Sequence, residues 1–196
     1  TLEDEEGLML TFQHGLTEEF LSNFPQIETG ARLLSESMMT TVPNGKKLSA
    51  IVMTVDSEFF DIFSFDFVEG EVFAATNDAV VSESFARANF DGQSPLGQTI
   101  RIDDKSFNVT GVIKDMENSH IGNVSVILNS RALADDFMYT GYTQWLWSFY
   151  VKLVPDTDVA ALEKALTDHA RKIPQFTSFH NNEPLAFIPL KDIYFT

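Results

Sequence analysis

Residues 78–115 read DAVVSESFARANFDGQSPLGQTIRIDDKSFNVTGVIKD. Their order of strand, capped helix, tight turn and hairpin decides the fold. Asp78 to Val81 reads as a short buried strand. Ser82 is placed to cap a helix whose first N–H groups lack partners, and Glu83 falls in its positive first turn. Phe85, Ala86 and Phe90 give that helix apolar contacts, and Asp91-Gly92 ends it. Pro95-Leu96-Gly97 is a turn, because proline fixes one φ and glycine accepts a positive one. Thr99–Ile102 and Phe107–Ile113 then read as two strands joined through Asp103-Asp104-Lys105. The stretch contains no nucleophile–base pair of the kind an active site requires.

Toward the N-terminus, Thr17 reads as the N-cap of a helix carrying Phe20, Leu21 and Phe24, with Leu16 and Leu21 as a hydrophobic staple and Pro25 as its end. Residues 28–42 and 48–55 read as a hairpin turned by Pro43-Asn44-Gly45-Lys46. Asp56 or Ser57 is expected to cap a short helix running through Phe63. Phe59, Phe60, Phe63, Phe65 and Phe67 follow one another so closely that they read as core anchors, with Phe60 and Phe63 on one side of that helix.

Toward the C-terminus, Trp145, Trp147, Phe149, Val151 and Leu153 alternate with Leu146, Ser148, Tyr150 and Lys152, the period of a strand. Pro155-Asp156-Thr157-Asp158 then starts a helix whose apolar face carries Val159, Leu162, Leu166 and Ile173. Pro184 to Pro189 reads as a final short strand. Two α/β units thus flank a mostly β segment.

The chain has 196 residues, enough for a substantial core, with 44% hydrophobic and 21% charged residues. Thirteen basic against 29 acidic residues give a net charge of −16. Such a surface repels nucleic acid and anionic headgroups and suits a soluble exported domain or a cationic partner. The absence of cysteine excludes disulfides, thiolate catalysis and cysteine-based zinc sites. No apolar run is long enough to span a membrane, and Glu3-Asp4-Glu5-Glu6 is the reverse of a basic signal-peptide start.

The ordered set Val80-Val81-Ser82-Glu83, Ala86, Phe90, Pro95-Leu96-Gly97, Ile100, Phe107, Val109, Gly111-Val112, Asp115 and Asn118-Ser119-His120-Ile121 resembles the periplasmic core domain of MacB-like and FtsX-like ABC transporter permeases. The block from Val55 to Phe63, with Phe67 and Gly70, is similar to the same family. The resemblance implies an α+β fold: a split, porter-like α/β subdomain from residues 1–75 and 124–196, with an inserted β-rich, sabre-like subdomain at 76–123. It implies a periplasmic location, with flanking transmembrane helices before Thr1 and after Thr196. It also implies a second permease copy or paralogue, a cytoplasmic ATPase subunit or domain, and an exported substrate or periplasmic partner.

Candidate chemistry is sparse. His14, His120, His169 and His180 form no i, i+4 metal pair. Ser119, His120 and Asp115 contain the groups of a triad, but neighbours on one turn fit a loop hydrogen-bond cluster better. Asp156-Thr157-Asp158 lacks the remaining ligands of a calcium loop, and no phosphate-binding glycine motif is present. No catalytic residue, cofactor or metal is therefore expected. Tyr139 and Tyr142 are the candidate partner or substrate surface, because tyrosine combines apolar area with a polar tip. The competing functions are a secreted carboxylate-based hydrolase and a periplasmic ligand-sensing module.

Overall fold

In the computed structural model the described residues are 2–4, 7–9, 12–116, 121–135, 139–141, 147–174, 184–190 and 192. In chain order the elements are β1 (Leu2–Asp4), β2 (Gly7–Met9), α1 (His14–Asn23), β3 (Ile27–Thr41), β4 (Lys47–Val55), α2 (Phe59–Ile62) and β5 (Phe67–Gly70). They continue with β6 (Asp78–Ser82), α3 (Glu83–Asn89), β7 (Thr99–Ile102), β8 (Lys105–Ile113), β9 (Val126–Asn129), β10 (Ser148–Leu153) and α4 (Val159–Ala170). The fold is α+β. Two compact units divide it: Thr1–Arg32 with Asp135–Thr196, and Leu33–Ala134.

The continuous unit is built on pairings that close on themselves. β3 pairs with β4, β4 with β9, β9 with β6, β6 with β8, β8 with β7, and β7 returns to β3. The last step rests on Thr40 opposite Ile102 and Thr41 opposite Arg101, extended by the Asp103 N–H donating to the Met39 carbonyl at 3.0 Å. The β4–β9 and β6–β8 pairs are parallel and the others antiparallel. Every residue of β6 is buried, which explains the unbroken Ala79-Val80-Val81 run. Val52, Val81, Ile100, Val109 and Val126 from the ring share one cluster with Phe85 and Phe90 from and just beyond α3. The Ser82 hydroxyl accepts from the Phe85 N–H at 3.3 Å, so the predicted cap forms.

The discontinuous unit packs α1 and α4 around Leu16, Phe20, Ile27, Leu162, Leu166 and Ala170. Phe149, Val151 and Leu153 of β10 pack against the same cluster, as their alternation predicts. Asp158 caps α4 by accepting from the Ala161 N–H at 3.0 Å.

The borders of the compact units fall after Arg32 and Ala134, and the β3–β4 hairpin belongs to the continuous unit because it is hydrogen-bonded to β7 and β9. Several expectations change. α1 starts at His14, so Thr17 is an interior residue whose hydroxyl donates to the His14 carbonyl and Leu16 is no staple. Burial of Leu16 and Phe20, four apart on one face, extends the helix upstream. Neither Asp56 nor Ser57 caps α2 with its side chain; buried Asp56 instead accepts from the Ser130 hydroxyl at 2.5 Å. Phe59 is the fully buried ring, and Phe60 and Phe63 are half-buried. Val159 is 42% exposed, because the first turn of α4 extends beyond the packed face. Residues 184–189 are not a strand. The Leu185 N–H donates to the Thr167 hydroxyl and the Phe187 N–H to the Glu163 carboxylate, so α4 side chains take the donors a neighbouring strand would have taken.

Phe59→Ala is expected to cost about 3–5 kcal/mol in denaturant unfolding, and Phe60→Ala distinctly less, because its ring already keeps contact with water. Equal losses would make Phe60 a core residue after all.

Candidate recognition surface

The backbone at Tyr139 is anchored by a buried tryptophan. Trp147 is 2% exposed and forms an isolated antiparallel bridge with Phe12, each backbone N–H donating to the other's carbonyl, at 2.6 and 3.2 Å. Its indole N–H donates to the Tyr139 carbonyl at 3.1 Å. The Gly15 N–H, an orphan donor in the first turn of α1, donates to the Gly141 carbonyl at 2.7 Å. Gly141 has φ 67°, a backbone state that suits glycine. The start of the Tyr139-Thr140-Gly141 segment is therefore fixed from two sides.

Tyr139 is half-buried, and its backbone carbonyl serves the tryptophan. Tyr142 lies outside the described residues, as do Phe137 and Trp145. The structure thus places one of the two predicted surface residues and fixes its backbone.

Arg32 is the residue that sequence reasoning missed. Its guanidinium lies 5.8 Å from the Trp147 ring centroid and 2.9 Å from the Glu18 carboxylate, with the Arg32 side chain 9% exposed. The buried guanidinium lies over the indole face, and the largely exposed Glu18 carboxylate meets it from the solvent side. The only hint was an arginine among Ala31, Leu33 and Leu34 on a predicted strand. His14 approaches the same tryptophan edge-on at 6.2 Å. This arrangement orders a loop; it presents no nucleophile with a base.

The other candidates separate. Among the described residues no three metal-ligating side chains converge. His169 lies 3.3 Å from Glu19 and edge-on to Phe24, a helix–helix contact. Asn118, Ser119 and His120 lie outside the described residues, and so does His180. Asp115 accepts from the Ser84 N–H at 3.0 Å, in the first turn of α3. The Ser84 hydroxyl is the largest influence on the Asp115 carboxyl; burial, the next largest, acts the other way, but the Ser84 N–H and the Arg87 charge add to the hydroxyl and hold the carboxyl below the usual carboxylate range.

Trp147→Phe keeps most of the ring area but removes the indole bond to the Tyr139 carbonyl, and is expected to lower stability by about 1–3 kcal/mol. A loss indistinguishable from zero would make the indole bond irrelevant to loop position. Asp115 stabilises the fold through its charged form. Its contribution is complete above the unfolded carboxylate pKa and disappears as pH falls through the lower folded value. Asp115→Asn should therefore lower the melting temperature at neutral pH and merge with the parent curve in strong acid. A constant gap at every pH would contradict this.

The fold resembles that of three solved structures. A putative permease domain from Porphyromonas gingivalis superposes with a TM-score of 0.70 at 18% identity, covering 84% of this chain and 78% of that one. The periplasmic region of MacB from Actinobacillus actinomycetemcomitans gives 0.67 at 20% identity, with 88% and 79% covered. The extracellular domain of the noncanonic ABC-type transporter YknZ from Gram-positive bacteria gives 0.62 at 16% identity, with 81% and 84% covered.

Residues 7–169 match the family described as MacB-like periplasmic core domain, and the chain belongs to that family. It is also 26% identical over 154 residues to the macrolide export ATP-binding/permease protein MacB of Aggregatibacter actinomycetemcomitans. That alignment covers 76% of this chain and 24% of the relative, so the chain spans about a quarter of that protein's length.

Proposed function

We propose that this chain is the extracytoplasmic domain of an ABC transporter permease, tethered to the inner membrane by flanking helices. It works as a transmitter of ATP-driven motion, or as the surface that engages an exported substrate or periplasmic partner. The observation that carries this reading is that residues from both chain ends, Thr1–Arg32 and Asp135–Thr196, belong to one compact unit. A module strung between two membrane segments needs this, because force from either segment then reaches the same body. Family membership supports the reading as well. The other participants are a second permease copy or paralogue and a cytoplasmic ATPase subunit or domain. The domain itself does no covalent chemistry.

The chain contains no cysteine, so a single label site introduces no competing thiol within the domain. Ser22→Cys on the exposed face of α1, spin-labelled in both permease copies of the full transporter, reports their separation. The distance distribution is expected to differ between ADP-bound and ATP-trapped states. Identical distributions would remove motion transmission. Tyr139→Ala with Tyr142→Ala is expected to leave the fold intact and reduce transport or partner binding. Unchanged transport and binding would take these tyrosines out of the mechanism. Hydrolysis of a glycan or ester panel by the chain would replace the proposal with the hydrolase reading.

A further inference from the structure

Residues 56–71, DSEFFDIFSFDFVEGE, carry five phenylalanines, six carboxylates and no lysine or arginine. Their aromatic rings form a partly exposed platform. Phe60 lies 5.1 Å from Phe65, 6.4 Å from Phe67 and 5.4 Å from buried Phe73, centroid to centroid. Phe60, Phe65 and Phe67 are half-buried, and Val68, at the irregularity between Phe67 and Glu69 in β5, is 52% exposed. The platform is held rigidly from below. A Cβ on Gly111 would meet Phe67 Cε1 at 2.8 Å and the Glu71 carbonyl at 2.4 Å. Gly70, at φ 72°, lies so close to the Thr110 carbonyl that a Cβ would meet it at 2.1 Å. Only glycine at both positions allows β5 and Phe67 to lie this close to β8.

The surroundings of the platform are acidic. Glu58, Asp61, Asp66, Glu69 and Glu71 are all exposed. Lys114 pairs with Asp66 at 2.9 Å, and Glu69 accepts from the Ser94 hydroxyl at 2.7 Å. Among the described residues no cation stands against Glu58, Asp61 or Glu71. Rigid, partly solvated rings beside uncompensated carboxylates suit an occupant that is apolar and positive. A second copy of this chain brings a charge of −16 and is repelled, as is an anionic lipid surface.

We propose that the Phe60–Phe65–Phe67–Val68 platform with Glu58, Asp61 and Glu71 is a docking surface for a cationic amphipathic protein segment, in which arginine or lysine alternates with aliphatic residues. The aliphatic side chains cover the rings and Val68, and the cations meet the carboxylates. The inference stands apart from the transport reading, because binding is measured on the chain alone.

The test titrates the 196-residue chain against a fluorescent peptide of about ten residues alternating arginine and leucine, at about 0.15 M salt. Arginine–serine and glutamate–leucine peptides of equal length are the controls. Saturable binding is expected for arginine–leucine only. Asp61→Lys and Asp104→Lys change the net charge equally, but Asp104 lies in the β7–β8 turn, beside the far end of β8 from β5. Asp61→Lys should weaken binding about fivefold while Asp104→Lys leaves it within about twofold. Val68→Ser should weaken binding without altering the charge. Three results would overturn the proposal. The first is no binding of the arginine–leucine peptide, or equally tight binding of arginine–serine. The second is an equal effect of the two charge reversals, which is diffuse attraction. The third is a dimer in sedimentation that Asp61→Lys strengthens, which would assign the platform to a second copy.

Discussion

The pairing of β7 with β3 is the constraint on which the continuous unit depends. It involves only Thr40, Thr41, Arg101 and Ile102, plus the Asp103 N–H. Without it, the outer edge of β7 and the Thr40–Thr41 end of β3 would be left open, and open edges recruit other strands. With it the strands form a ring whose interior holds the valines and isoleucines of the cluster. The connection from α3 has to deliver β7 to this place. Asp91, Gly92 and Gly97 all take positive φ there, and the Gly97 N–H donates to the Val109 carbonyl at 2.8 Å.

β8 is the strand most heavily used. Its residues Asn108 to Ile113 pair with β6, and its other edge is divided between two partners. β7 takes Lys105 to Asn108, and β5 takes Gly111 to Ile113. A nine-residue strand thus carries both the closure of the ring and the aromatic segment outside it. Gly111 reconciles the two, because a side chain there would collide with the Glu71 backbone and the Phe67 ring.

What was legible in the sequence was local chemistry. Ser82 capping α3, the glycine turns, the β7–β8 hairpin and the alternation in β10 all depend on neighbours within a few residues. What was not legible depends on distant partners. Nothing near Val52 announces a parallel partner at Val126, and the borders of the units follow from that pairing. Phe59 and Phe60 are both phenylalanines on the same short helix, and only the position of the ring above it decides which is buried. In the candidate site, Trp147 was visible through its period, whereas Arg32 required knowing that Glu18 and the indole converge on it. Residues 184–189 carry a strand-like pattern, yet side chains of α4 take their N–H groups.

The register around Val55 has a consequence for the order in which the chain folds. Leu33 pairs with Val55 on one edge of β4, and Asn129 pairs with the same residue on the other. Where the continuous unit is entered and left, its backbone is therefore held about two strand spacings apart, about 10 Å. The other unit needs partners from opposite ends of the chain, such as Phe12 with Trp147. Bringing such segments together across about a hundred unfolded residues costs about 4 kcal/mol of chain entropy beyond a constant term. Once the ring has formed, that cost has already been met and only short connections remain to be ordered. During synthesis Phe12 emerges long before Trp147, the partner it bridges to. The interior of the chain thus acts as the clasp that lets its two ends find each other.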